Sequence, residues 1–243
     1  MSALYFKEIR SFLSSLMGYV IILVFLVTIS LFLWVFPNDF NIFDYGYANL
    51  DGLFVIAPFV FIFLVPAITM RSFADEKKSG TIELLFTRPL TDMQLILAKF
   101  LASFTLVVIA LLPTLLYYIS VYLLSFPQGN IDSGSIWGSY IGLLFLGAAF
   151  TSIGIFTSSI SDNQVTSFVI AGLLSAFLYL GFELIYSFEL FGPVDLLIRS
   201  LGISAHYSSL SRGVIDTRDV VYFLSTIALF LFLTKFSLAR RKW

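Results

Sequence analysis

Six stretches of roughly twenty apolar residues punctuate this chain, at Met17–Phe36, Gly52–Met70, Phe100–Leu124, Ile136–Thr157, Val165–Ser187 and Val220–Phe236. At about 1.5 Å of rise per residue, some twenty helical residues match the ~30 Å hydrocarbon core of a bilayer. Lipid offers no water to unpaired backbone groups, so each run has to satisfy its amides internally, as a helix does. The runs are continuously apolar and lack the alternation of ten-residue strands, which argues against a membrane barrel. The expectation is an all-α, polytopic membrane protein with six transmembrane helices.

Composition supports lipid as the solvent. Hydrophobic residues make up 59% of the chain and charged residues 12%, against about 45–50% and 25% in soluble domains. Apolar area left in water costs roughly 25 cal/mol per Å², and so few charged side chains cannot cover a soluble domain of this size. Cysteine is absent, which excludes disulfides and thiolate metal sites. No cleaved leader is expected, because Lys7, Glu8 and Arg10 interrupt the first residues and no small-residue cleavage site follows the first apolar run.

Basic residues flanking short loops are retained on the cytoplasmic side of a membrane. With the N-terminus inside, Lys7, Arg10, Arg71, Lys77, Lys78, Arg88, Lys99, Lys235, Arg240, Arg241 and Lys242 all fall on that side, leaving only Arg199, Arg212 and Arg218 outside. The outer loops carry Asp39, Asp44, Asp51 and Asp132 instead. Both termini are therefore expected in the cytoplasm.

Residues 1–16 place Tyr5, Phe6, Ile9, Phe12, Leu13 and Leu16 at helical spacing, with Lys7, Glu8, Arg10, Ser11, Ser14 and Ser15 on the other face. This pattern predicts an interfacial helix on the inner leaflet, the alternative being a simple extension of the first span into water.

Residues 71–94, between the second and third spans, hold the densest charge in the chain yet keep Ile82, Leu84, Leu85 and Phe86 together. Gly80 should interrupt helix geometry and Pro89 disfavours it at Arg88, so a short helix is expected from about Thr81 to Thr87. Thr91 and Gln94 have capping-box spacing, which starts the third helix before the membrane. A plain positive-inside loop would need no such apolar set beside its charges. Residues 188–218 are too apolar for a free loop and too interrupted by Gly192, Pro193, Gly202 and Gly213 to span, so short helices on or in the outer leaflet are expected.

Catalytic patterns are sparse. There is no Gly-x-x-x-x-Gly-Lys-Ser/Thr phosphate loop and no His-Glu-x-x-His pair, and the lone histidine, His206, cannot build a multi-histidine metal site. No catalytic, metal-binding or cofactor-binding residues are assigned, and no basic-aromatic pattern suggests nucleic acid. Ser152 and Ser158 lie in an apolar run beside Gly147, Ala148, Ala149 and Gly154, a small-residue set that reads as close helix packing in preference to a Ser–His hydrolase. Glu183 is the one acid inside a predicted span, either functional or reaching interfacial water near the outer end. Pro58, Pro66 and Pro113 should kink their spans or free carbonyls.

Pro66-Ala-Ile-Thr-Met-Arg-Ser-Phe-Ala-Asp-Glu76, Ser79-Gly-Thr-Ile-Glu-Leu-Leu85, Arg88-Pro89 and Lys99 together resemble the ABC-2 type permeases, the membrane halves of a class of ATP-binding-cassette transporters. Lys7 to Phe12, Gly154 to Gln164, Arg212 to Asp216 and Asp219 to Leu224 extend the resemblance in the right order over nearly the whole chain. The resemblance implies a single permease domain over residues 1–243, of the type V exporter-like fold, in a bacterial inner membrane. It implies that Glu76, Gly80, Thr81, Ile82, Glu83, Leu84, Leu85 and Arg88 form a coupling helix that contacts a separate cytoplasmic ABC ATPase, present in two copies. ATP and Mg would be bound by that ATPase, with no cofactor in this chain, and a second permease chain, identical or related, would complete the membrane assembly.

Overall fold

The computed structural model describes residues 1–44, 46–83, 91–189 and 192–239. Among these the regular structure is entirely helical, and six helical stretches are long and apolar enough to cross a membrane: Leu16–Val35, Asp51–Lys78, Asp92–Leu124, Ser133–Ile160, Gln164–Ser187 and Thr217–Ala239. The first helix, α1 (Ser2–Leu13), is separate from α2 (Leu16–Ser30), because Ser15 is extended at φ −93°, ψ 138° and its hydroxyl caps Gly18 N–H. That hydroxyl satisfies one of the four open donors at a helix start. The chain thus turns between the two helices, and α1 does not continue the first span.

The second span is α3 (Asp51–Thr69), followed after a turn by α4 (Ala74–Lys78). The third is α5 (Asp92–Leu111), which opens on the complete Thr91–Gln94 capping box and passes through a tight Leu112–Thr114 turn into α6 (Leu115–Leu124). The fourth is α7 (Ser133–Ile160) and the fifth runs from α8 (Gln164–Ala176) through a wide turn to α9 (Phe182–Ser187). Two short helices, α10 (Asp195–Ser200) and α11 (Ile203–Leu210), precede the last span, α12 (Thr217–Ala239).

The bundle is organised around α7, which packs against α3, α5, α8 and α12 and is the most enclosed of the six. Phe25, Phe54, Phe61, Phe150 and Phe223 form fully buried parts of the core. Close approach of α7 to α3 depends on Gly154, where a Cβ would overlap the Thr69 side chain; small residues let backbones meet in this way where lipid supplies no hydrophobic drive. The first, fifth and sixth spans expose most of their apolar surface.

The prolines act differently from one another. Pro58 and Pro66 stay inside an unbroken α3, while Pro113 coincides with the change to a tighter turn after Leu111. A proline deprives the carbonyl four residues earlier of its partner, and for Pro58 that carbonyl, on Phe54, is taken by the Tyr207 hydroxyl of α11 at 2.8 Å. The tighter turn at Pro113 is tied to α7, since the Tyr140 hydroxyl donates to Thr114 C=O at 3.0 Å.

Candidate functional site

The basic end of the bundle builds a dense polar site where α1, α4, α5 and the α7–α8 turn converge. It begins with the break after α3. Ser158 of α7 accepts from the backbone N–H groups of Phe73 at 2.9 Å and Ala74 at 3.1 Å, and donates to Met70 C=O at 3.1 Å. One buried hydroxyl thereby satisfies three groups that the turn leaves open. Ser158 is thus a structural cap, and among the described residues its hydroxyl meets only these backbone groups.

The turn places Glu76 against Lys99. The Lys99 ammonium lies 2.9 Å from Glu76 Oε2 and 3.0 Å from Glu8 Oε1, and donates to Ser72 C=O at 2.5 Å. The Glu76 contact is an ion pair by distance without the alignment of a hydrogen bond. The Lys99 side chain is 1% exposed, Glu76 12% and Glu8 23%, with Lys7 at the rim 3.5 Å from Glu76. Taking a charge out of water costs several kcal/mol, so such a lysine needs both carboxylates and the carbonyl to be stable there. Lys99 joins three elements, α1 through Glu8, α4 through Glu76, and α5 which carries it.

α4 is held from its other side by the α7–α8 turn. Gln164 donates to the Asp75 carboxylate, and Lys77 donates to Ser159 C=O and pairs with Asp162 at 3.7 Å. Beyond Lys78 the chain leaves this grip. Gly80 takes φ +69°, the left-handed region that glycine enters without steric cost, and nothing lies within 4 Å of where its Cβ would stand. The Ser79 and Thr81 hydroxyls bond each other at 2.8 Å, Ile82 is half-buried and Glu83 is exposed.

Of the coupling residues named from the sequence, Glu76 therefore turns inward onto Lys99, whereas Gly80, Thr81 and Glu83 face outward and Ile82 lies between. Leu84, Leu85 and Arg88 lie outside the described residues, as does most of the short helix expected over Thr81–Thr87. The lysine partner of Glu76 was not foreseen, although a lone lysine two turns into the helix that Thr91 caps, immediately before its apolar run, is the signal that could have shown it.

At the opposite end, His206 Nδ1 meets Asp219 Oδ1 at 2.8 Å and Nε2 meets Ser200 C=O at 2.9 Å, and the ring stacks on Tyr222 at 3.9 Å between centroids. Ser209 donates to the Asp219 carboxylate and to the His206 backbone carbonyl at 3.0 Å, not to the imidazole. Neither ring nitrogen meets a hydroxyl nucleophile, so His206 braces α10, α11 and α12 together instead of activating a serine. Glu183 pairs with Arg199 at 3.2 Å, and both side chains are 41% exposed, a partly solvated position in keeping with interfacial water near the end of the fifth span.

A six-span helical bundle with a dense polar site at one end defines a polytopic membrane protein. Residues 35–198, well over half of the chain, match the model of the ABC-2 family transporter proteins, and the chain belongs to this family. It is thus a membrane permease subunit of an ABC transporter, a class that works with an ABC ATPase. The match takes in α3 to α9 and the first part of α10, and leaves α1, α2, α11 and α12 outside. No curated protein matches the chain.

Proposed function

We propose that this permease couples ATP hydrolysis on a separate cytoplasmic ATPase, present in two copies, to export or mechanical work across a bacterial inner membrane. The ATPase supplies ATP and Mg binding, and this chain supplies a bundle that changes state when pushed. The observation that carries the reading is the anchoring of residues 71–83: Ser158, Lys99 and Gln164 bind the segment to three other elements as far as Lys78, and the chain then turns outward at Gly80. A push on the outward part is delivered to α1, α5 and α7 together. Interior packing responds to such a push by discrete rearrangement, not by yielding.

Both termini are cytoplasmic in this reading, following the basic residues at the same end as the anchored segment. Six spans form half of the assembly, and a second permease chain, identical or related, completes it; the outward apolar faces of the first, fifth and sixth spans leave room for lipid and for that chain. The order of motifs most resembles the permease of gliding-motility ABC transporters, which favours mechanical work on an envelope partner. The test is Leu84→Asp with Leu85→Asp: the ATPase should no longer co-purify and permease-stimulated hydrolysis should vanish. A complex that stays intact and fully active overturns the proposal. A structural scaffold without transport is the second reading, and it predicts normal function when the ATPase is hydrolysis-dead.

A further inference from the structure

Among the described residues, Arg71 lies beside the Lys99 cluster without an anion of its own. Its side chain is half-buried and its Nε fully buried, yet among the described residues it makes no hydrogen bond or ion pair. Both nearby carboxylates are committed, Glu76 to Lys99 and Lys7, Glu8 to Lys99. The wedge between α1, the end of α3 and α5 therefore carries three cations, Lys7, Arg71 and Lys99, against two anions, Glu8 and Glu76. A buried N–H such as the Arg71 Nε–H is costly without an acceptor, and native structures supply one from protein, water or a ligand.

Beside Arg71 lies a cavity of about 50 Å³, walled by the Ser11, Ser72 and Ser103 residues, the Glu8 carboxylate and the apolar Phe12 and Leu106. Ser11 at its edge is exposed and Ser103 is buried, so the cavity runs from the surface of α1 down to α5. Its size admits a compact anionic group and no aromatic or sugar ring. Arginine presents planar paired donors that match phosphate oxygens, and a serine hydroxyl can donate beside them. Lys7 and Arg10 stand on the same helix, α1, in a surface patch with Phe6 and Ser14.

We propose that Arg71, with Ser11 and Ser103, binds the phosphate of an anionic phospholipid from the leaflet at the basic end of the bundle. The shared chemistry is a phosphate oxyanion, and lipid is the source because the cavity lies between an amphipathic helix and a spanning helix, at the depth where headgroups meet acyl chains. Bound lipid supplies the missing charge and fastens α1 to the end of α3.

The test uses the full chain in nanodiscs of phosphatidylcholine with or without phosphatidylglycerol, reading thermal unfolding and lipid retained by native mass spectrometry. Wild type should retain phosphatidylglycerol and unfold at higher temperature in its presence. Arg71→Gln should retain it roughly tenfold less well, the loss expected for one hydrogen bond to a charged group, and should lose the thermal gain. Ser103→Leu, which fills the cavity and keeps the guanidinium, should do the same, separating the site from general charge attraction. Equal phosphatidylglycerol dependence in wild type and both variants overturns the proposal, as does an equal thermal gain from inorganic phosphate in lipid-free detergent, which would make free phosphate the ligand.

Discussion

Tyr207 donates its hydroxyl to the carbonyl of Phe54 at 2.8 Å, and that carbonyl is the one Pro58 leaves without an N–H. A residue of the short helix α11 thus repairs a defect that the second span carries in its own sequence. The repair joins the far end of the bundle to the same span that leads, at the other end, into the anchored segment. Tyr207→Phe should strand a buried carbonyl and cost about 1–3 kcal/mol. Pro58→Ala returns the missing N–H, so Tyr207→Phe should cost clearly less in that background. Thermal unfolding of the four proteins in one detergent gives the coupling energy, and a value near zero would show that the two residues act independently.

The same hydroxyl predicts an alkaline effect. Burial, reinforced by Tyr179 beside it, raises the Tyr207 hydroxyl well above the ordinary tyrosine value of 10. Its proton is held more tightly in the folded than in the unfolded chain. The stability it contributes is complete below about pH 10 and is lost as pH rises through the higher folded value. Tyr207→Phe removes this contribution, so the difference between wild type and variant should shrink above pH 10. Unfolding midpoints measured from pH 8 to 11 check the sign, and a gap that widens contradicts it.

Ser158 satisfies two N–H groups and one carbonyl at the break after α3. Ser158→Ala strands all three in a buried place, and roughly 3 kcal/mol should be lost. Ser158→Thr keeps the hydroxyl and should lose less. Hydrogen exchange should show the damage first at Phe73 and Ala74; unchanged protection there would mean that the hydroxyl is dispensable.

The six spans were legible because periodicity and length alone decide what can cross a bilayer, and their observed limits differ from the apolar runs mainly at the polar ends, where Asp92 to Lys99 continue α5 beyond its apolar part. The Thr91–Gln94 box was legible because its chemistry is local. The partners of Glu76, Ser158 and Tyr207 were not, since each bond joins residues far apart in sequence. Glu76 illustrates the difficulty: the family resemblance implied a contact with the ATPase, while its ion pair with Lys99 depends on the turn after α3, which joins residues 23 positions apart. Pro58 was visible as a defect, but nothing in the sequence says which residue mends it.

Gly80 is free of steric neighbours but sits at φ +69°, so substitutions there test backbone conformation alone. Left-handed geometry costs a non-glycine residue about 1–2 kcal/mol, least for asparagine and most for β-branched residues. ATPase binding should therefore fall in the order Gly80, Gly80→Asn, Gly80→Ala, Gly80→Val, with the isolated permease losing no more stability than that local strain of about 1–2 kcal/mol. Binding that is the same for all four would remove Gly80 from the coupling account.

Lys99 gives the sharpest energetic contrast. Lys99→Met preserves the length and apolar stem of the side chain but leaves Glu8 and Glu76 facing one another, partly buried, with only Lys7 at the rim. Removing one partner of a buried ion pair costs about 3–5 kcal/mol, because the charge left behind is uncompensated. Neutralising those carboxylates should therefore return most of the loss: Lys99→Met with Glu8→Gln and Glu76→Gln should unfold close to wild type in detergent. If the single variant is as stable as wild type, the ion cluster is not what holds α1, α4 and α5 together. If the triple variant is no better than the single, the loss lies in packing around Lys99 and not in charge. With stability restored in the triple variant, its ATPase stimulation can be read without the complication of unfolding, and on the proposed coupling a bundle no longer tied through Lys99 should stimulate hydrolysis by the partner ATPase less.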